Sequence, residues 1–156
     1  MAGGGPATTM KIALLSDIHA NLQAFEACLA DARARGATQF AFLGDLVGYG
    51  ADPAPVVARV MAMVADGAWA LKGNHDALAC HPPAVAGDAL GEMTAAWTHA
   101  QLGDEQRRFL DELPLLHRDG STLLVHASVD SPERWHYVHD GRGAGESLTA
   151  ATDIAA

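Results

Sequence analysis

Three short apolar runs, each closing on a polar cluster, constrain this 156-residue chain more than any other feature. Lys11 to Leu15 ends at Ser16-Asp17, and Asn21 to Arg35 then places Leu22, Phe25, Leu29 and Ala32 on one helical face. Gln39 to Leu43 repeats the run. A glycine-rich loop follows it, and Pro53 to Asp66 carries Val56, Val57, Val60, Met61 and Val64 at helical spacing, with Pro53 suited to a first helical turn. Ala68 to Leu71 is the third run and ends at Gly73-Asn74. Strands alternating with helices predict a parallel sheet covered by helices, which binds ligands beyond the carboxyl ends of its strands. The polar loops gather at that end.

Further along, Leu90, Met93 and Trp97 predict a helix, Gln106 to Leu113 another stopped by Pro114, and Thr122 to Val125 a fourth strand ending at His126. Asp130 to Arg142 reads as a polar, aromatic loop, and Gly145 to Ala156 as weakly helical. Residues 1–9, rich in Gly, Ala and Thr, read as a disordered leader, with Met10 as an alternative start. Residues 10–156 form one domain without internal repeats.

Composition narrows the partners. A hydrophobic share of 49% with 19% charged residues is that of a soluble globular chain. The net charge of -9 argues against non-specific attraction to nucleic acid or to an anionic membrane, and a phosphorylated ligand in that field calls for metal. No stretch approaches the ~20 apolar residues of a membrane span. Two cysteines, Cys28 and Cys80, are too few for a secreted disulfide scaffold and too far apart for a zinc pair, so a reducing cytoplasm is the simplest location.

Four clusters carry chemistry: Asp17-Ile18-His19, Gly44-Asp45, Gly73-Asn74-His75-Asp76 and Val125-His126-Ala127. Carboxylate, imidazole and amide oxygen together suit Mn, Fe, Ni or Zn, whereas Ca or Mg favours oxygen almost alone. Any one cluster reads as a helix cap or turn. Capping does not require histidine at three of the four, so together they read as a metal site.

The series D-I-H, G-D-L-V-G-Y-G, G-N-H-D and V-H-A resembles the calcineurin-like metallophosphoesterase superfamily over nearly the whole chain. S-D-I-H-A-N-L-Q-A at 16–24 and G-D-L-V-G-Y-G-A-D-P at 44–53 resemble its small prokaryotic single-domain branch. The resemblance implies an α/β fold of the α/β/β/α sandwich type and two divalent metal ions, with Mn favoured and Fe, Zn or Ni acceptable. It implies that Asp17 and His19 hold the first ion, that Asp45 bridges both, and that Asn74 and His126 hold the second. It further implies that His75 faces the leaving oxygen as general acid or charge stabiliser, with Asp76 fixing its orientation. A bridging hydroxide formed between two ions is then the nucleophile, attacking phosphorus in line.

Members of that superfamily carry a later G-H-x-H motif, which is absent before Ala156. The expectation is therefore the N-terminal portion of a full domain, with its second sheet incomplete. His136 and His139 sit in a polar loop and read as loop or substrate-contact residues rather than substitutes. Trp135 and Tyr137 beside them read first as packing, and secondly as a stack for a base or aryl group. His81, His99 and His117 have no partner visible in the sequence, Cys28 reads as a core or boundary residue, and Ser128 lacks a nucleophile elbow. The leading functional expectation is hydrolysis of phosphomonoesters or phosphodiesters of small molecules, nucleotides among them. The alternatives are a catalytically impaired remnant acting as a metal-binding or interaction module, and a homo-oligomer whose partner donates the missing histidines.

Overall fold

The computed structural model describes residues 10–155, so the expected leader lies outside the described residues. Strands β1 (Ile12–Leu15), β2 (Gln39–Phe42) and β3 (Trp69–Ala70) form a parallel sheet with β2 in the middle. Ile12 pairs with Gln39 and Leu15 with Phe42, while Ala41 and Phe42 pair with Trp69 and Ala70. Both crossovers are helical. In α1 (Leu22–Ala34) the Asn21 side chain accepts the Ala24 amide at 3.0 Å, and α2 (Pro53–Ala65) opens on its proline. Phe25 and Leu29 of α1 meet Phe42 and the Val56, Val57 and Val60 stripe of α2 in the main core. Burying each such side chain stabilises by about 1.5–3 kcal/mol.

The cluster from Gly73 to Asp76, expected as a loop, opens a helix instead, α3 (Asn74–Cys80). Asp76 accepts the Gly73 amide at 2.9 Å, closing an otherwise unpaired helix start, and Ala77 to Ala79 are good helix formers. Two more helices follow, α4 (Leu90–Gln101) and α5 (Asp104–Glu112). The apolar stripe that predicts α4 does not face the core: Leu90 and Met93 are more than half exposed, and Trp97 nearly so. The buried side is Gly91, Ala95 and Thr98. Close approach to α3 explains the choice, since a Cβ on Gly91 would lie 2.6 Å from the His75 ring. His99 clamps the pair, its Nδ1 donating to the Ala79 carbonyl at 2.8 Å.

The fourth predicted strand, β5 (Thr122–Val125), lies outside the parallel sheet. It pairs antiparallel with β4 (Leu116–Asp119), which sequence periodicity does not reveal, in a two-stranded second sheet. Leu124 packs on Ala41 and Leu71, residues that alternate with the Phe42 and Ala70 of the main core, so the hairpin covers the opposite sheet face. The last helix, α6 (Gly141–Ala155), meets the hairpin where Arg118 Nη1 donates to the Ile154 carbonyl at 3.1 Å. The layers therefore run α/β/β/α.

Cys28 is exposed rather than part of the core. It turns toward an open groove that it lines with Leu14 of β1, the edge strand, which has no further neighbour among the described residues.

The tight α3–α4 contact makes opposite predictions for adjacent positions. Gly91→Ala should cost about 1–3 kcal/mol, as overpacking does, and the exposed Leu90→Gln should stay within about 0.5 kcal/mol of wild type. Urea denaturation monitored by circular dichroism reads both.

Candidate metal centre

Pairing between β1 and β2 continues past the strand ends. The Leu43 amide donates to Leu15 at 2.8 Å, Asp17 to Gly44 at 3.1 Å, His19 to Asp45 at 2.9 Å and Ala20 to Leu46 at 2.9 Å. The first two polar loops are thus zipped together. Asp17, His19 and Asp45 all take left-handed backbone, with φ of 56, 47 and 53°. Aspartate and histidine enter that region more readily than most residues, and backbone bonds on both sides hold the strain. The third loop closes in at Gly44, where a Cβ would lie 2.7 Å from the Gly73 amide nitrogen and 2.8 Å from His126 Nδ1.

Asp17, His19 and Asp45 each offer one ligand atom, all within 4.8 Å of one another. A backbone carbonyl only accepts, so the 3.1 Å contact from His19 Nδ1 to the Val47 carbonyl places the ring proton on Nδ1. Nε2 is left as an acceptor, 3.7 Å from Asp17 Oδ1 and 3.9 Å from Asp45 Oδ2. His126 repeats the device. Its Nδ1 donates to the Leu43 carbonyl at 2.7 Å, and its Nε2 lies 3.1 Å from Asn74 Oδ1 and 3.5 Å from Asp45 Oδ2. Anchoring one imidazole nitrogen on the backbone to aim the other is the usual support of a metal-binding histidine.

The donor set fits a cation, because among the described residues ligand atoms converge in two places. Asp45 Oδ2 belongs to both. Its other oxygen, Oδ1, accepts the His75 amide at 2.8 Å. Burial alone would lower the His126 pKa, but hydrogen bonding to and attraction by Asp45 raise it above its ordinary value. Burial likewise works to raise Asp45, and is outweighed by His126, the His75 amide and the neighbouring imidazoles, which hold the carboxyl below the usual range.

His75 is buried against Gly48, Gly91 and two rings, with Tyr49 at 4.5 Å and His19 at 5.1 Å between centroids. Burial lowers its pKa, opposed mainly by Asp45. Asp76, expected to fix the orientation of this ring, makes no hydrogen bond to it among the described residues. Asp76 is fully buried and accepts three amides instead: Leu46 at 2.9 Å, Val47 at 3.2 Å and Gly73 at 2.9 Å. Burial pushes its carboxyl up to about 7, despite those amides. It positions the backbone that carries Asp45 and His75.

Tyr49, between the His19 and His75 rings at 4.7 and 4.5 Å, was not singled out by sequence. Its signal was the Gly48-Tyr49-Gly50 triplet, whose glycines lie against His75 and the His19 carbonyl. The other histidines lie elsewhere: His81 pairs with Asp111 at 3.1 Å, His99 holds α4, and His117 packs on Trp69 with centroids 4.5 Å apart. His136 and His139 are exposed and join neither acceptor cluster, His136 lying 3.9 Å from Asp130 and His139 stacking on Tyr137.

Asp76→Ala would orphan three buried amides at about 1–3 kcal/mol each. The expected loss is about 3 kcal/mol or more of unfolding free energy in urea, whereas Asp17→Asn, at an exposed carboxylate whose left-handed backbone asparagine also enters readily, should cost less than about 1 kcal/mol.

The calcineurin-like phosphoesterase family pattern matches residues 10–150. An uncharacterised protein of Methanocaldococcus jannaschii is 33% identical over 132 residues, covering 81% of this chain and 53% of the relative. A crystal structure of a metallophosphoesterase from Sphaerobacter thermophilus superposes with a TM-score of 0.75 at 33% identity, covering 90% of this chain and 56% of that one. A second solved structure, named provisionally a diadenosine tetraphosphatase, shares the fold with a TM-score of 0.60 at 24% identity, covering 80% of this chain and 53% of its own. The chain thus spans about half the length of the relatives it matches. On the family match, which spans residues 10–150, the chain belongs to the calcineurin-like phosphoesterase family.

Proposed function

We propose that this chain is the ligand-bearing part of a metal-dependent phosphoesterase that cleaves small phosphorylated molecules, nucleotides among them. The observation that carries the reading is the double membership of Asp45, whose Oδ2 faces His19 Nε2 on one side and His126 Nε2 on the other. In this reading Asp17, His19 and Asp45 hold one divalent ion, and Asp45, Asn74 and His126 hold a second, with Mn the favoured metal. When bound, such a pair lowers the pKa of water and offsets charge on a phosphoryl group. The provisional name of one structural neighbour supports a nucleotide among the substrates.

The chain's own residues do the rest. Backbone carbonyls at Leu43 and Val47 hold the two imidazoles with Nε2 turned inward. Asp45 Oδ1, committed to the His75 amide, keeps its carboxylate from rotating away. His75 is our choice for the group that donates to the leaving oxygen, and its packing against Gly48, Gly91 and Tyr49 limits its rotamers. The carboxylates give the site a net negative field without metal, which repels a phosphate until cations are bound.

Hydrolysis of bis(p-nitrophenyl) phosphate with added Mn2+ tests the reading. Asp45→Asn should abolish turnover, and His75→Ala should lower kcat by about 100- to 10,000-fold while manganese binding persists. Absence of turnover in folded, manganese-loaded wild type would remove the claim that this chain is itself an enzyme.

A further inference from the structure

We propose that the cavity between the candidate metal centre and the loop carrying Trp135 and Tyr137 is a subsite for a planar aromatic group attached to the phosphate. The inference rests on the reading that phosphate binds at Asp45 and His126. The cavity measures about 300 Å³ and has two unlike walls. Asp17, Asn74 and His126 form the polar wall, shared with the metal centre, and Trp135, Tyr137 and Val138 form the apolar one. A phosphate held at the first wall has its ester substituent beside the second. The volume is at the small end of the ~300–1,000 Å³ of ligand pockets, enough for a ring system rather than a polymer.

The apolar wall is aromatic and open. Trp135 stands edge-on to His126, with ring centroids 6.0 Å apart and planes at 75°. Tyr137 is 68% exposed and stacks on His139 with centroids 5.6 Å apart, and Val138 is 46% exposed. Trp135 also adopts left-handed backbone, φ 56° and ψ 37°, which a bulky residue rarely enters. That conformation persists where surrounding contacts hold it, and here Arg134 and Trp135 donate back to the Ser131 and Pro132 carbonyls. The exposed Tyr137 ring lines the same cavity as His126 and Asn74. Aromatic surfaces beside a phosphate site bind flat rings by stacking, largely irrespective of ring identity.

Calorimetric titration of manganese-loaded full chain with AMP, phenyl phosphate and ribose 5-phosphate tests this. AMP should bind about tenfold or more tighter than ribose 5-phosphate, which has the same phosphate and sugar without the base. Phenyl phosphate reports whether any flat ring suffices: affinity matching AMP assigns the subsite to aryl groups generally, and weaker affinity, still above ribose 5-phosphate, to nucleobases. The AMP to ribose 5-phosphate ratio should fall toward one in Tyr137→Leu and, independently, in Trp135→Leu. Equal binding of the three ligands to wild type, or a ratio kept in both variants, overturns the subsite and leaves the phosphate reading standing. Manganese binding with none of the three ligands bound overturns the phosphate reading, and the subsite with it.

Discussion

Reciprocal carboxylate-to-amide bonds from two aspartates hold this molecule's functional end together. Asp45, in the loop after β2, accepts the amide of His75 in α3, and Asp76, in α3, accepts the amides of Leu46 and Val47 in that loop. None of the three bonds is between secondary-structure partners. Together they lock the first turn of α3 to a segment containing a left-handed Asp45, and they do so where water is excluded. A buried donor left without such a bond is costly. The positions of His75, Asn74 and Tyr49 follow from that stitch.

The second organising feature is proton placement. Both inward-facing imidazoles spend Nδ1–H on a main-chain carbonyl, so each presents an acceptor to carboxylates that are themselves acceptors. Such an arrangement is uncomfortable without a cation or a proton. Protons compete with metal for such a place, because the ligands must be deprotonated to bind it.

Fine packing also departs from simple pattern reading at α4. The large residues Leu90, Met93 and Trp97 follow helical spacing, and the helix exists, but its inward face is Gly91, Ala95 and Thr98. Spacing of apolar residues reports that a helix is amphipathic; it does not report how close the neighbouring helix must come. His75 sets that distance here, and only a glycine admits its ring.

Much was legible in the chain alone. The β1, β2 and β3 runs, the two crossover helices and their starts at Asn21 and Pro53 follow from periodicity and capping, both local properties. The family followed from four short motifs whose spacing is set by the alternation of strand and helix. Non-local bonding decided the rest. β4 escaped notice because Leu116–Asp119 has no alternation of its own and becomes a strand by pairing with β5. Asp76 could be placed near His75 by sequence, but only the folded loop shows its oxygens taken by three amides. The tautomers of His19 and His126 likewise depend on carbonyls 28 and 83 residues away along the chain, a relation that no local pattern encodes.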